Sequence, residues 1–154
     1  MIITPNSGMS KITDRIFIGN YYSAEMLDYG NRNSITHVLN CTPHYHKGLK
    51  DLTVNQINID DGFEIPAESV LFGIRMISEA VRSGGRILVH CHAGISRSPS
   101  MVAAYLMYNG FSWDEAVDFI RRRRPEIFPH PNIERSVKKA LGTAITPLTT
   151  MLGA

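Results

Sequence analysis

Segment 90–98, HCHAGISRS, lies between an apolar run and a segment with helical character. The run before it, Ile87-Leu88-Val89, has no polar alternation, which is typical of a strand covered on both faces. After it, residues 101–107 are apolar nearly all round, which predicts a helix buried in the centre of the domain. A buried strand that turns through a glycine-containing loop into a buried helix restricts the chain to a layered α/β fold.

The rest of the chain alternates between strand and helix patterns. We predict a hairpin at 12–18, strands at 36–41, 54–59 and 86–90, and helices that begin near Ser23, Pro66, Arg97, Ser112 and Pro131. Glycines are expected to end three of these helices, at Gly84, Gly110 and Gly142. This order predicts a single α/β domain with a central, mixed, mostly parallel sheet flanked by helices.

The length and composition agree with one domain. The 154 residues are 44% hydrophobic and 19% charged, which is enough apolar material for one core. We expect a loosely ordered segment at 1–10 and the domain at 11–142. Residues 143–154 have no amphipathic pattern and are expected to form a frayed tail.

Cysteine and targeting patterns indicate a cytoplasmic protein, and we expect a monomer. The net charge of +2 gives no bulk attraction for nucleic acid or membranes, so an anion must be attracted by local placement of charge. Cys41 and Cys91 are too few for a disulfide framework. The chain has neither a signal-peptide pattern nor a run of about 18 apolar residues, so we expect no membrane association.

The loop from Cys91 to Arg97, called the phosphate loop below, has the residues needed to bind and attack a phosphate monoester. Its consecutive N–H groups can form a concave nest for an anion, and Gly94 can take the positive φ of the tightest turn. The following helix adds its positive end, and no Asp or Glu occurs from 86 to 113 to oppose a Cys91 thiolate. Arg97 can clamp two phosphoryl oxygens in bidentate fashion.

Two serines and two aspartates complete the predicted site. Ser98 can donate its hydroxyl to the Cys91 sulfur when that sulfur leaves, and Ser96 is expected to brace the loop. An alkoxide leaving group needs a proton donor, and Asp60 and Asp61 follow a predicted strand that ends at 59. Either carboxyl group could supply the acid, and the scheme needs neither a metal nor another cofactor.

At this point segment 89–98, VHCHAGISRS, resembles the signature of the cysteine-based protein tyrosine phosphatases, in the dual-specificity subfamily. Further similar segments are 16–20, 38–40, 104–107, 124–125 and 131–132, so the resemblance runs from about 11 to 141. It implies the phosphatase fold and hydrolysis of phosphotyrosine, and of phosphoserine and phosphothreonine, in protein substrates. The implied intermediate is a cysteinyl phosphate on Cys91.

The resemblance also implies roles for individual residues. The aspartate after the Ile57-Asn58-Ile59 pattern would be the general acid, which matches Asp61 with Asp60 as the neighbour to test against it. Asn40 would hydrogen-bond the phosphate loop, and His90 would fix the surroundings of the cysteine. The substrate phosphate would be bound by the rest of the loop, namely His92, Ala93, Gly94, Ile95, Ser96 and Arg97.

Several of these residues also permit a structural or metal-binding role. The His90-Cys91-His92 cluster could bind a metal, but a tetrahedral site would sacrifice the phosphate geometry of the loop. Residues 121–124, four consecutive arginines, form either a solvated helix end or a secondary phosphate-docking patch. Cys41 is expected to be a packing residue rather than a redox partner of Cys91. The remaining histidines have no ligand spacing.

Three alternative functions use a similar loop. Phosphatases of inositol lipids or of RNA 5′ ends are the first, although this loop has no lysine between Cys91 and Arg97. A rhodanese-like sulfurtransferase would not need the distant aspartate. A phosphopeptide-binding module without turnover would be expected to have lost the cysteine or the arginine.

Overall fold

A computed structural model of the protein describes residues 8–151, with side chains described as far as Gly142. Five short strands form one sheet: β1 (Met9–Lys11), β2 (Ile16–Gly19), β3 (His37–Asn40), β4 (Thr53–Gln56) and β5 (Ile87–His90). Their order is β1-β2-β5-β3-β4, and β5 is parallel to both β2 and β3. Among the strands of residues 8–151, only β1, at one edge of the sheet, runs antiparallel to its neighbour. The predicted mixed, mostly parallel sheet is confirmed.

Helices cover both faces of the sheet. They are α1 (Tyr21–Glu25), followed by a 3-10 turn Met26–Asp28, then α2 (Ala67–Arg82), α3 (Arg97–Tyr108), α4 (Trp113–Arg121) and α5 (Pro131–Met151). Ile87 and Val89 of the central strand pack in one cluster with α2 to α5, while Leu88 packs in a second cluster with α1. This alternation follows from the two-residue period of a strand and explains the unbroken apolar run before the phosphate loop.

Several helices begin or end at residues that favour helix ends. Ser112 and Glu115 form the expected reciprocal capping box of α4. Gly84 ends α2 with a φ of +79°, whereas Pro66 occupies the position just before α2 rather than its first turn. Helix α1 begins at Tyr21, earlier than the predicted start near Ser23, and Asn20 caps it by accepting a hydrogen bond from the Ser23 amide through its side chain.

Both chain ends differ from the expectations. β1 begins at Met9, so the hairpin starts earlier than residue 12 and part of the segment 1–10 is ordered; residues 1–7 lie outside the described range. Gly142 does not end α5, which continues to Met151. A glycine inside a helix costs only about 1 kcal/mol, so neighbouring turns can carry the helix through it. Of the tail 143–154, residues 152–154 lie outside the described range.

Candidate active site

The phosphate loop leaves the carboxyl end of the central strand β5 and leads directly into α3. This is the edge of a parallel sheet where ligands bind. Gly94 has a φ of +72°, as predicted, and Arg97 is the first residue of α3. Cys91 is 2% exposed and therefore lies at the floor of the site rather than on its rim.

The backbone of the phosphate loop is turned outward at five consecutive carbonyl groups. Their partners, in order from residue 91 to residue 95, are His90 Nδ1 at 3.1 Å, Tyr21 N at 3.0 Å, Arg124 Nη2 at 3.3 Å, Arg124 Nε at 2.8 Å and Phe128 N at 2.7 Å. A trans peptide holds its C=O and N–H in opposite directions. The N–H groups of residues 92–96 are therefore directed away from these partners, which is the arrangement of an anion-binding nest.

The sulfur of Cys91 has two polar neighbours. The amide of Gly94 donates a hydrogen bond of 3.2 Å to Sγ, and the hydroxyl oxygen of Ser98 lies 3.2 Å from it. Ser98 is fully buried in the first turn of α3. Donors of this kind stabilise a sulfur anion, and they meet the positive end of a buried helix at the same place.

Arg97 is held beside the cysteine by the segment that follows β4. It is 8% exposed, and its Nη1 donates a 2.9 Å hydrogen bond to the carbonyl oxygen of Ile59. Its Nε lies 3.8 Å from Oδ1 of Asp61. One contact therefore orients the guanidinium and the other brings a carboxyl group next to it.

The two adjacent aspartates differ in their position. Asp61 lines the same pocket as Cys91 and Arg97, with a side chain that is 70% exposed. Asp60 does not line that pocket, and its carbonyl oxygen accepts a hydrogen bond from Phe63 in the turn that Gly62 closes with a φ of +81°. The turn thus places only the second carboxyl group toward the phosphate loop.

The pocket has a volume of about 410 Å³. Its walls combine the phosphate loop with two flanking segments, and the lining residues are His44, Asp61, Cys91, His92, Ala93, Ile95, Ser96, Arg97, Phe128 and His130. Within the described part of the chain, Arg97 is the one arginine or lysine among them. The rim is formed by His44, His92 and His130 together with Ile95 and Phe128. The exposed apolar side chains of Ile95 and Phe128 lie beside the anion site.

Ser96 hydrogen-bonds the segments next to the phosphate loop, in agreement with the supporting role expected of it. Its Oγ accepts a 2.9 Å hydrogen bond from the amide of His130, and its carbonyl oxygen accepts from the amide and the hydroxyl of Ser100. Because Phe128 binds Ile95 in the same way, the segment 128–130 is attached to the outer side of the phosphate loop.

Arg124 is a residue whose importance the sequence analysis missed. It is 3% exposed, and besides its two bonds to the phosphate loop its Nη1 donates to the carbonyl oxygen of Gly8 and to Ser10 Oγ, at 3.1 and 2.9 Å. Burial lowers the pKa of Arg124 from its ordinary value, while Glu126 and Cys91 act in the opposite direction. The first three arginines of 121–124 are exposed, as expected of a solvated helix end, and the fourth is not.

Asn40 does not contact the phosphate loop through its side chain, which corrects the expectation. Its Nδ2 donates to the carbonyl oxygen of His44 at 2.7 Å, and its Oδ1 accepts from the amide and the hydroxyl of Thr42. The strand ends at Asn40, so its amide satisfies the backbone of the next turn instead. It thereby holds the turn that presents His44 to the pocket.

The other residues near Cys91 are buried without facing the pocket. Burial lowers the pKa of His90 to about 3, with Arg97 and His46 acting in the same direction. Burial, and then Cys91, raise the pKa of Cys41, which keeps Cys41 a neutral thiol. Its amide donates a 2.8 Å bond to the carbonyl oxygen of His90, in agreement with a packing role beside β5.

The described residues 8–151 contain no group of three or more His, Cys, Asp or Glu side chains arranged to hold a metal ion. In the same range no helix combines the length and the apolar character needed to span a bilayer.

Comparison with known proteins gives consistent matches. Residues 16–140 match the family model described as dual specificity phosphatase, catalytic domain. Dual specificity protein phosphatase 15 of Mus musculus is 33% identical over 135 residues, which cover 86% of this chain and 57% of that protein. The chain thus spans little more than half the length of this relative.

Solved structures agree with the sequence comparison. The crystal structure of DUSP15 is similar with a TM-score of 0.78 at 33% identity, over 86% of each chain. The crystal structure of a mouse putative dual specificity phosphatase complexed with zinc tungstate gives a TM-score of 0.83 at 25% identity, covering 96% of this chain and 94% of that one. The similarity extends across nearly the whole fold described above.

Proposed function

The chain belongs to the dual specificity phosphatase family, and from this premise we propose that it hydrolyses phosphate monoesters on protein side chains. Phosphotyrosine is the principal substrate, with phosphoserine and phosphothreonine accepted as well. One observation carries the proposal: Cys91, Arg97 and Asp61 line the same pocket, above a loop whose carbonyl groups are bonded outward.

In the first step, the Cys91 thiolate attacks phosphorus in line with the ester oxygen. An S–P bond forms and the P–O ester bond breaks, while Asp61 gives its proton to the departing oxygen. Arg97 and the loop amides bind the equatorial oxygens, where charge is held in the transition state. The bond from Arg97 to Ile59 supports this role because it fixes the guanidinium before substrate binds.

In the second step, water hydrolyses the cysteinyl phosphate. Asp61, now a carboxylate, takes a proton from the attacking water, and the S–P bond breaks to give inorganic phosphate and the thiolate. Ser98 stabilises the leaving sulfur through its hydroxyl group, in agreement with the 3.2 Å separation of the two atoms.

The walls of the pocket support a singly phosphorylated substrate. Arg97 is the one permanent cation among the described lining residues, so a second phosphate would find no matching charge. The exposed side chains of Ile95 and Phe128 provide an apolar surface for a tyrosine ring or a neighbouring apolar residue. This favours protein substrates over inositol phosphates or RNA 5′ ends.

The thiolate mechanism requires that Cys91 stay reduced. We therefore place the enzyme in the cytoplasm, in line with its two free cysteines and the absence of a disulfide in the described residues.

A substrate panel tests the proposal. Phosphate release is measured from phosphotyrosine, phosphothreonine and phosphoserine peptides, inositol phosphates and triphosphorylated RNA, with Cys91→Ser as the inactive control. We expect release from the peptides, fastest from phosphotyrosine, and none by Cys91→Ser. Activity restricted to RNA or inositol phosphates, transfer of sulfur from thiosulfate to cyanide, or peptide binding without turnover would each overturn it.

A further inference from the structure

A chain of three ionisable side chains runs behind the phosphate loop. Oε2 of Glu25 lies 2.8 Å from Nδ1 of His46, and Nε2 of His46 lies 2.8 Å from Nε2 of His90. The other ring nitrogen of His90, Nδ1, lies 3.1 Å from the carbonyl oxygen of Cys91. These hydrogen-bonded side chains therefore connect helix α1 to the first peptide group of the phosphate loop.

The two histidine rings are buried. His90 is fully buried and the side chain of His46 is 2% exposed, whereas Glu25, at the outer end, is 43% exposed. Buried polar atoms need partners, and all four ring nitrogens have one. The positions of the protons on these nitrogens are then fixed by what each partner can accept.

The carbonyl oxygen of Cys91 fixes the tautomer of His90. This oxygen can only accept a hydrogen bond, so Nδ1 of His90 must donate. Since burial keeps His90 neutral, its Nε2 carries no proton and accepts from Nε2 of His46. The carboxylate of Glu25 also accepts, so Nδ1 of His46 donates to Glu25 while its Nε2 donates to His90. In the opposite tautomer of His90, the lone pair of its Nδ1 would face a lone pair of the Cys91 carbonyl oxygen at 3.1 Å.

Tyr21 holds this arrangement in place. Its ring stacks on His46 at a centroid distance of 4.5 Å and contacts His90 edge-on at 5.5 Å. Its hydroxyl donates to the carbonyl oxygen of Tyr45, and its amide donates to that of His92 in the phosphate loop. Burial, and then Glu25, raise the pKa of Tyr21, so it stays a neutral phenol. Tyr21 and Glu25, four residues apart, share one face of α1.

We propose that Glu25 and His46 are positioning residues for the nucleophile. They hold His90 with its proton on Nδ1, and this proton binds the Cys91 carbonyl group and fixes the first peptide of the phosphate loop. Because that peptide is planar, the same bond sets the direction of the His92 N–H, the first amide of the nest. The inference rests on the proposed function, in which Cys91 is the nucleophile.

Two substitutions of His46 separate its hydrogen bonds from its packing. His46→Phe keeps an aromatic ring against Tyr21 but cannot donate to His90, and it is expected to lower kcat/KM for p-nitrophenyl phosphate by roughly 10- to 100-fold, as small misplacements of reacting groups do. His46→Gln retains an N–H donor and is expected to recover part of that loss. Glu25→Gln is expected to have a smaller effect, since its amide oxygen can still accept.

The matched control is Glu79→Gln, which removes an exposed carboxylate of α2 that does not line the pocket. Alkylation of Cys91 by iodoacetamide is followed against pH in each variant, because this reaction needs no substrate. We expect His46→Phe to shift the profile and Glu79→Gln to match the wild type. If the role of His46 were purely structural, folded His46→Phe would show the same pH profile of Cys91 alkylation as the wild type.

¹⁵N NMR of the histidine rings in the wild-type protein tests directly which ring nitrogens of His90 and His46 carry protons. We expect His90 to carry its proton on Nδ1 alone and Nε2 of His46 to carry the proton that it donates to His90. A proton on Nε2 of His90 overturns the inference, as does a kcat/KM of His46→Phe equal to that of Glu79→Gln. Turnover by Cys91→Ser would instead defeat the proposed function, so the two failures are distinguishable.

Discussion

Nε of Arg124 donates a 2.8 Å hydrogen bond to the carbonyl oxygen of Gly94, at the tightest point of the phosphate loop. Through its Nη1 the same guanidinium reaches the carbonyl oxygen of Gly8 and the hydroxyl of Ser10, next to and within strand β1. A single buried cation therefore joins the antiparallel edge of the sheet to the anion site. It also keeps two loop carbonyl groups turned outward, and with them the amides that follow turned inward.

Replacing Arg124 is expected to disturb the loop while leaving the reacting groups present. Arg124→Met leaves the buried carbonyl group of Gly94 without its donor, at about 1–3 kcal/mol, and removes the donor of the part-buried carbonyl groups of Ala93 and Gly8, so the free energy of unfolding should fall. Urea denaturation and kcat/KM for p-nitrophenyl phosphate measure the two effects. Arg121→Met, at an exposed position of the same arginine run, is the control. Equal stability of the two variants would contradict the role of Arg124.

The sequence does not show which of the four consecutive arginines is buried. Residues 121–124 have the same side chain, and only the end of α4 at Arg121 and the path of the chain toward Pro125 decide which guanidinium turns inward. The phosphate loop itself was predictable, because the strand, the glycine and the helix follow one another along the sequence. The partners of its carbonyl groups come from distant segments, and no local pattern identifies them.

Gly94→Ala is expected to damage the site through both backbone and packing. With a φ of +72°, an alanine there costs about 1–2 kcal/mol, and its Cβ would lie 2.5 Å from Arg124 Nη2 and 2.7 Å from the carbonyl oxygen of Gly19. Gly84→Ala is a matched control, because Gly84 has a φ of +79° and its Cβ would meet nothing within 4 Å. We expect Gly94→Ala to lose more stability in urea than the control, and to lose activity as well.

Asp61→Asn is expected to lower kcat by about two to four orders of magnitude on a phosphoserine peptide, whose leaving oxygen needs a proton. The loss should be smaller on p-nitrophenyl phosphate, since nitrophenolate leaves without one. Asp60→Asn is the control, because Asp60 lies outside the pocket. A large loss in Asp60→Asn with a normal rate in Asp61→Asn would move the acid by one residue.

The assignment of these two aspartates and of Asn40 depended on turns. Sequence alone put both carboxyl groups after a strand, and the 60–63 turn decides which one faces Arg97. For Asn40 the strand position was right, but its amide hydrogen-bonds the backbone of the turn at 42–44 and not the phosphate loop. His46 gave no signal at all, since its partners Glu25 and His90 are distant in the sequence.

The burial of His90 predicts a loss of stability in mild acid. Its pKa falls from an ordinary 6.5 to about 3 in the folded protein, so the unfolded chain binds the proton first. Stability from this group is complete above pH 6.5 and declines as the pH drops toward 3, by up to about 1.4 kcal/mol per pH unit.

Urea denaturation at several pH values between 6.5 and 5 measures this decline, in a range above that in which ordinary carboxyl groups titrate. His90→Asn has no titrating group at this position and is the comparison, so the difference between the two proteins reports His90 together with its bonded neighbour His46, apart from the more distant histidines. We expect the wild type to lose stability faster than His90→Asn as the pH falls. Parallel curves would mean that His90 is protonated as easily in the folded protein as in the unfolded chain, and the neutral ring assigned beside the Cys91 carbonyl group would then be wrong.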